Sequence, residues 1–251
     1  MRKLNPYETN LLIKYGLDPV EASKTIDDYI PIEYIVRVGM FYENEFYVTS
    51  NTLIPRVETE FLIELGLKYV IDSKKSVVTF ADVGTGSGAI GIAFALELFK
   101  RKMNFKAILS DNSDGALKVA EKNLKEYNKI LDTKLNIRII KAHLMKLYPI
   151  DKFDIVFANL PYIPSKRIPK LPQSVRNYEP ITALDGGDDG LLHIRELLSH
   201  ANKCLAKDGL LMLEVDDSHT LIATREFKDD WDIEIKNDFN GKNRFWICKA
   251  K

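Results

Sequence analysis

The chain has 251 residues, 45% of them hydrophobic and 29% charged, with 36 basic residues balancing 36 acidic ones. That length and composition support a sizeable core and exclude a disordered chain, and the zero formal charge gives no net field drawing it to nucleic acid or an anionic membrane. No run reaches the ~18 apolar residues of a membrane span, and Cys204 and Cys248 stand too far apart for zinc-ligand spacing. They fit core thiols in a reducing compartment, so a cytoplasmic protein is expected.

Residues 1–38 read as a short helical region. Leu11, Leu12 and Tyr15 fall on one helical face, and GLDPVEAS supplies a turn and a new helix start. Over 39–52, MFYENEFYVT alternates around Glu43-Asn44, which predicts a β-hairpin pairing Phe41 and Tyr42 with Phe46 to Val48. From residue 53 to 251 strands and helices alternate. Strands are expected at Val77 to Asp82, Ala107 to Asp111, Ile137 to Lys141, Phe153 to Ala158 and Gly209 to Val215. The helices between them are expected at Ala89 to Phe99, Gly115 to Tyr127 and His193 to Cys204. Alternation of this kind implies an α/β fold, a doubly wound, mostly parallel sheet with helices on both faces. The ending WDIEIKNDFNGKNRFWICK reads as two strands joined at Asn-Gly, an antiparallel hairpin that brings the sheet to seven strands.

Two loops carry the chemistry. In VVTFADVGTGSGAIG the glycines Gly84, Gly86 and Gly88 lie between an apolar strand and a helix, where backbone N–H groups can approach a ligand closely. Gly86-x-Gly88-x-x-Gly91, with Asp111 ending the next strand, also satisfies the dinucleotide fingerprint, so a nicotinamide enzyme is one reading. The strand ends in Asp82, however, and this acid-first pattern resembles that of S-adenosylmethionine (AdoMet) methyltransferases. The second loop follows the fourth of these strands: FDIVFANLPYIP ends an apolar run at Asn159, and the prolines prevent it from continuing. Asn159-Leu160-Pro161-Tyr162 is similar to the (Asn/Asp/Ser)-Pro-Pro-(Tyr/Phe) motif of methyltransferases that act on planar nitrogens, in adenine, cytosine or the glutamine amide. An amide nitrogen is a poor nucleophile because its lone pair is delocalised. It must be held in line, and the Asn159 side-chain oxygen and the Leu160 carbonyl are two acceptors suited to an NH2 group. Tyr162 can stack on the planar group.

Further segments resemble the peptide chain release factor glutamine N(5)-methyltransferase family over about residues 31–251. LIPRVETEFLIE at 53–64 looks like its Leu-Ile-Pro-Arg-x-(Glu/Asp)-Thr-Glu signature, and YEPITALDGGDDGLLHIREL at 178–197 matches its Glu-Pro…Gly-Gly-x-Asp-Gly-Leu segment. The DFNGKNR ending and PIEYI at 31–35 fit as well. The resemblance implies an AdoMet methyltransferase domain at 53–251, with 1–38 as a substrate-recognition region and 39–52 as a linking hairpin. It implies AdoMet as cofactor and, as substrate, the Gln of the Gly-Gly-Gln tripeptide of release factors. It places the cofactor against Gly84, Thr85, Gly86, Ser87, Gly88, Asp111, Leu144 and Asn159, with Phe41 and Thr59 shaping the pocket, and the glutamine amide against Asn159, Leu160, Pro161 and Tyr162. A monomer without a metal, a stable nucleic-acid partner or a membrane is expected.

Three departures stand out. Leu160 replaces the usual Pro, His143 stands where the family usually carries an Asp near adenine, and the N-terminal helical region is shorter than usual. Asn-Leu-Pro-Tyr is also the form seen in ribosomal RNA adenine dimethyltransferases. An adenine N6 methyltransferase acting on RNA or DNA and a non-catalytic AdoMet-binding scaffold therefore remain alternatives. The basic stretch SKRIPK with Arg176 reads as a solvated loop face or a polyanion contact. His193, His200 and His219 form no triad, and Glu214 reads as a structural or pocket-lining acid.

Overall fold

The structure is a computed structural model that describes residues 2–144, 152–220 and 224–251. Its N-terminal helices are α1 (Pro6–Lys14), α2 (Pro19–Thr25) and α3 (Ile32–Val36). Asn5 and Glu8 cap α1 reciprocally, each side chain accepting from the other's backbone N–H at 2.9 Å, and Asp18 accepts from Val20 N at the start of α2. Caps of this kind contribute about 1 kcal/mol each. Leu11 and Leu12 pack with Ala22 and Ile32 in a small core of their own, as the helical spacing predicts.

The hairpin β1 (Val38–Phe41) and β2 (Asn44–Tyr47) follows, but its turn is Tyr42-Glu43, with Phe41 paired to Asn44. Both turn residues have positive φ, at 47° and 61°, the mirror-image turn whose twist suits a two-residue hairpin. No glycine marks this turn. It is fixed from outside, where Glu60 Oε1 accepts the Tyr42 N–H at 2.8 Å. Phe41 and Phe46 point into the main core.

The remaining elements are α4 (Phe61–Ser73), β3 (Val77–Val83), α5 (Ala89–Lys100), β4 (Asn104–Asp111), α6 (Asp114–Ile130), β5 (Ile137–Lys141) and β6 (Phe153–Ala158), then α7 (Gln173–Tyr178), α8 (Leu192–Ala201), β7 (Leu205–Glu214), β8 (Trp231–Asn237) and β9 (Asn243–Ala250). The sheet order is β5-β4-β3-β6-β7-β9-β8, and only β9 runs antiparallel to its neighbours. β7 begins four residues before its expected start. Lys207-Asp208-Gly209 reads as a turn but forms an irregularity inside the strand, where Asp208 has φ 62°. Residues of α4, α5 and the hairpin fill one face of the sheet, and α8 fills the other with Trp231 and Trp246. Cys204 and Cys248 are both buried.

This order has one mechanical consequence. The chain leaves β3 outward through β4 and β5, then returns to place β6 on the other side of β3, where Val83 pairs with Ala158. The crevice beyond the carboxyl ends of two such strands is where open α/β sheets bind ligands. The glycine loop and Asn159 both open onto it.

Candidate active site

The acid at the end of β3 faces inward. Asp82 is fully buried, and its Oδ2 accepts from Thr85 Oγ1 at 2.5 Å and from Gly91 N at 2.9 Å, tying the loop to the first turn of α5. Burial pushes its carboxyl up to about 6 despite those bonds. Gly84 has φ 71°, and a Cβ there would lie 2.8 Å from Leu160 Cδ2, so a glycine is what lets the two loops touch. At the tip of β4, Asp111 Oδ2 accepts from Gly86 N and Oδ1 from Ser113 N, both at 2.9 Å, while burial raises its pKa against them. On α6, buried Asn123 donates to Ser87 O at 2.8 Å and pairs with the Tyr47 backbone, linking the glycine loop to the hairpin.

The exit of β6 is held by side chains. Asn159 Nδ2 donates to Thr59 Oγ1 at 3.1 Å and to Glu214 Oε2 at 3.0 Å. Glu214, 2% exposed at the end of β7, also accepts from Thr59 Oγ1 at 2.5 Å and from the Tyr162 hydroxyl at 2.8 Å. Burial raises the pKa of Glu214, and burial together with the adjoining Glu214 charge holds the Tyr162 phenol protonated as a donor. A carboxylate can only accept, so the atom of Asn159 that faces it is the nitrogen. The NH2 end of Asn159 is thus turned to the Thr59–Glu214 pair, and the end it leaves for a ligand is its oxygen.

Three cavities meet here, and Asn159 lines each of them. The first, about 550 Å³, is lined by Gly84, Asp111, Leu144, Leu160 and Pro161, together with His143 and His193. The second, about 410 Å³, holds Phe41, Thr59, Gly84, Thr85, Gly86 and Ser87, with Arg56. The third, about 540 Å³, runs past Tyr162, Arg56, Leu53, Val175 and Leu184. Gly88 lines none of the three; a Cβ there would strike Ile92 Cδ1 at 2.8 Å, so its place is in packing at the start of α5. His143 reaches the first cavity, but its Nε2 lies 3.0 Å from Glu196 Oε2.

Distant segments brace the junction. Arg56 forms an ion pair with Glu179, whose side chain is 1% exposed, joining residues 53–64 to 178–197. Gly186 N donates to Ile163 O at 2.9 Å, and a Cβ at Gly186 would lie 2.7 Å from Pro161 O, so the Gly-Gly pair lets this segment lie flat on the Asn-Leu-Pro-Tyr loop. From the basic stretch, Arg167 Nη1 reaches both oxygens of Asp216 at 2.7 and 2.8 Å, and Arg176 Nη1 donates to Pro169 O. Those two arginines are internal ties, while Lys166 and Lys170 are exposed.

Sequence reasoning missed how these parts connect. Glu214 is the hub of the β6 exit, and Arg56 lines two cavities. The only local signal for Glu214 is an acid ending an otherwise apolar strand, which is also what any strand-to-loop exit can show.

The sheet order, the glycine loop on β3 and the amide at the tip of β6 define the class: an AdoMet-dependent methyltransferase. The methyltransferase domain family matches residues 74–240. A ribosomal protein L11 methylase from Lactobacillus delbrueckii subsp. bulgaricus shares the fold, with a TM-score of 0.50 at 20% identity over 78% of this chain and 80% of that one. Two relatives named release factor glutamine methyltransferase are nearer in sequence. That of Clostridium acetobutylicum is 37% identical over 86% of this chain and 73% of its own, and that of Prochlorococcus marinus 34% over 89% and 75%. This chain belongs to the release factor glutamine methyltransferase family.

Proposed function

We propose that this protein transfers the methyl group of AdoMet to the side-chain amide nitrogen of a release factor glutamine, the Gln of Gly-Gly-Gln. The observation that carries the reading is the orientation of Asn159: it lines all three cavities, and its NH2 end is turned to Thr59 and Glu214. An acceptor at that junction suits an incoming NH2.

The residues present fit the cofactor. Gly84 and Gly86 bring backbone to the cavity walls without a side chain, and Asp111 is a half-buried carboxylate on a cavity wall suited to ribose hydroxyls. Leu144 adds apolar packing for the adenine, and Thr59 and Phe41 close the other end. When bound, AdoMet supplies a methyl carbon made electrophilic by its sulfonium. The chain's own contribution is to hold the nucleophile. Asn159 Oδ1 and the Leu160 carbonyl, which has no donor among the described residues, would take the two amide protons. They would favour charge build-up on nitrogen and fix its direction of approach. Leu160 serves here as well as the usual Pro, because the acceptor is the backbone oxygen. Tyr162 does not stack freely: its hydroxyl is anchored on Glu214, so it forms a fixed wall of the third cavity.

The helical segment 1–38 is the part we assign to gripping the release factor, and a cytoplasmic monomer is the expected form. Among the described residues no helix is long and apolar enough to cross a membrane. The test uses labelled AdoMet with a release factor, its Gln→Ala variant and bulk RNA. Label in the first alone supports the reading. Label in RNA supports adenine methylation instead, and AdoMet binding without transfer would leave only a scaffold.

A further inference from the structure

We propose that Glu214 is a positioning residue that acts through Asn159: its carboxylate sets which end of the Asn159 amide faces the cavity junction. The inference rests on the methyltransferase reading above and adds a residue to it. Asparagine is a symmetric-looking group with opposite chemistry at its two ends. Turned one way it offers an oxygen to the cleft, and turned the other way an NH2. A substrate amide that brings N–H groups is welcomed by the first and repelled by the second. Nothing within Asn159-Leu160-Pro161-Tyr162 decides between them except the partners behind the side chain.

Those partners form one closed set. Glu214 Oε2 accepts from both Asn159 Nδ2 and Thr59 Oγ1, and Thr59 Oγ1 in turn accepts from Asn159 Nδ2. Tyr162, from the same loop as Asn159, donates to Glu214 Oε1. Thr59 cannot impose the orientation alone, because a hydroxyl both donates and accepts and would satisfy either end of the amide. The carboxylate breaks that symmetry. Around it stand Arg244 on β9 and Glu58 beside Thr59, one of each charge, with Tyr162 from the β6 exit. The four members come from three separate segments, so the orientation is a property of the assembled sheet end rather than of the motif.

Two replacements separate positioning from packing. Glu214→Gln keeps an oxygen for Asn159 and Thr59, and its NH2 can donate to the Tyr162 oxygen. Glu214→Met keeps the length and removes every acceptor. The first readout needs no turnover. In the full isotope-labelled chain, the Asn159 side-chain NH2 signal, identified by its loss in Asn159→Asp, should exchange with water slowly in the wild type and in Glu214→Gln. In Glu214→Met it should exchange at least about tenfold faster, the factor expected when a hydrogen bond to a charged group is lost. The second readout is methylation of a release factor. Glu214→Met should lower kcat roughly 100-fold, with the AdoMet Kd and the release factor KM within about threefold, and Glu214→Gln, which keeps an acceptor but can also turn its NH2 to Asn159, should recover part of that loss. Unchanged exchange in Glu214→Met overturns the proposal, as does a pair of variants equally impaired in kcat. Failure of the wild type to methylate any release factor would overturn the functional reading instead, and the exchange measurement would still decide the role of Glu214.

Discussion

The glycine loop after β3 and the Asn-Leu-Pro-Tyr loop after β6 end neighbouring strands and share the same crevice, yet they are held in different ways. Asp82 bonds Thr85 and Gly91, three and nine residues away, and Asp111 bonds Gly86, 25 residues away in the loop after the adjacent strand. Asn159 is held by Thr59 at a separation of 100 residues and by Glu214 at 55, and Tyr162 by the same Glu214 at 52. The half suited to a cofactor thus rests mostly on contacts to the backbone of one short loop, and the half suited to the substrate on long-range contacts between side chains. A local device can be carried by a short sequence pattern, whereas a long-range one forms only when the sheet is complete.

The comparison can be broken at its strongest point by Asn159→Ala. Turnover should fall roughly 1,000-fold, with the AdoMet Kd within about threefold; a variant that kept near-normal turnover would end the positioning mechanism. On the cofactor side the opposite split is expected. Asp111→Ala removes the acceptor for Gly86 N and Ser113 N together with a cavity carboxylate, so AdoMet affinity should drop at least about tenfold. Saturating AdoMet should restore much of kcat, and titration calorimetry beside initial rates checks both numbers.

Asp82 sharpens the contrast through pH. Its folded pKa, about 6, lies above the unfolded carboxylate value. The stability it contributes is therefore fully present below about pH 4 and lost as pH rises through 6, on the order of 3 kcal/mol. Asp82→Asn should remove that slope: the variant gains on the wild type between pH 4 and 7 in denaturant midpoints. A difference that stays flat with pH would show that Asp82 titrates normally. The smallest effect is expected at His143. With its ring nitrogen at Glu196, His143→Ala should change the AdoMet Kd by less than about threefold, and a larger loss would mean that the imidazole serves adenine directly.

The legible parts of the molecule are those with a period or a spacing. The strands Ile137–Lys141 and Phe153–Ala158 coincide with their apolar runs, and the glycine loop falls between strand and helix where its spacing puts it. The hairpin turn was misplaced by one residue because its positive φ values fall on Tyr42 and Glu43, and the contact that holds them comes from Glu60, beyond the hairpin. The early start of β7 was hidden by Asp208-Gly209, a turn-like pair that the neighbouring strand absorbs as an irregularity. The pairings Arg56 with Glu179 and Arg167 with Asp216 could not be read at all, because charge along a chain does not say which opposite charge folds beside it.

By itself the sequence determined the alternation of strands and helices, the class of sheet they form, the glycine loop and the amide-bearing strand end. Each of these follows from propensity, periodicity and backbone restriction acting over a few residues. Only the tertiary structure decided that Asn159 presents an acceptor, since that depends on which proton-accepting group stands behind it. The group is Glu214, and it reaches Asn159 only once β6 and β7 lie side by side.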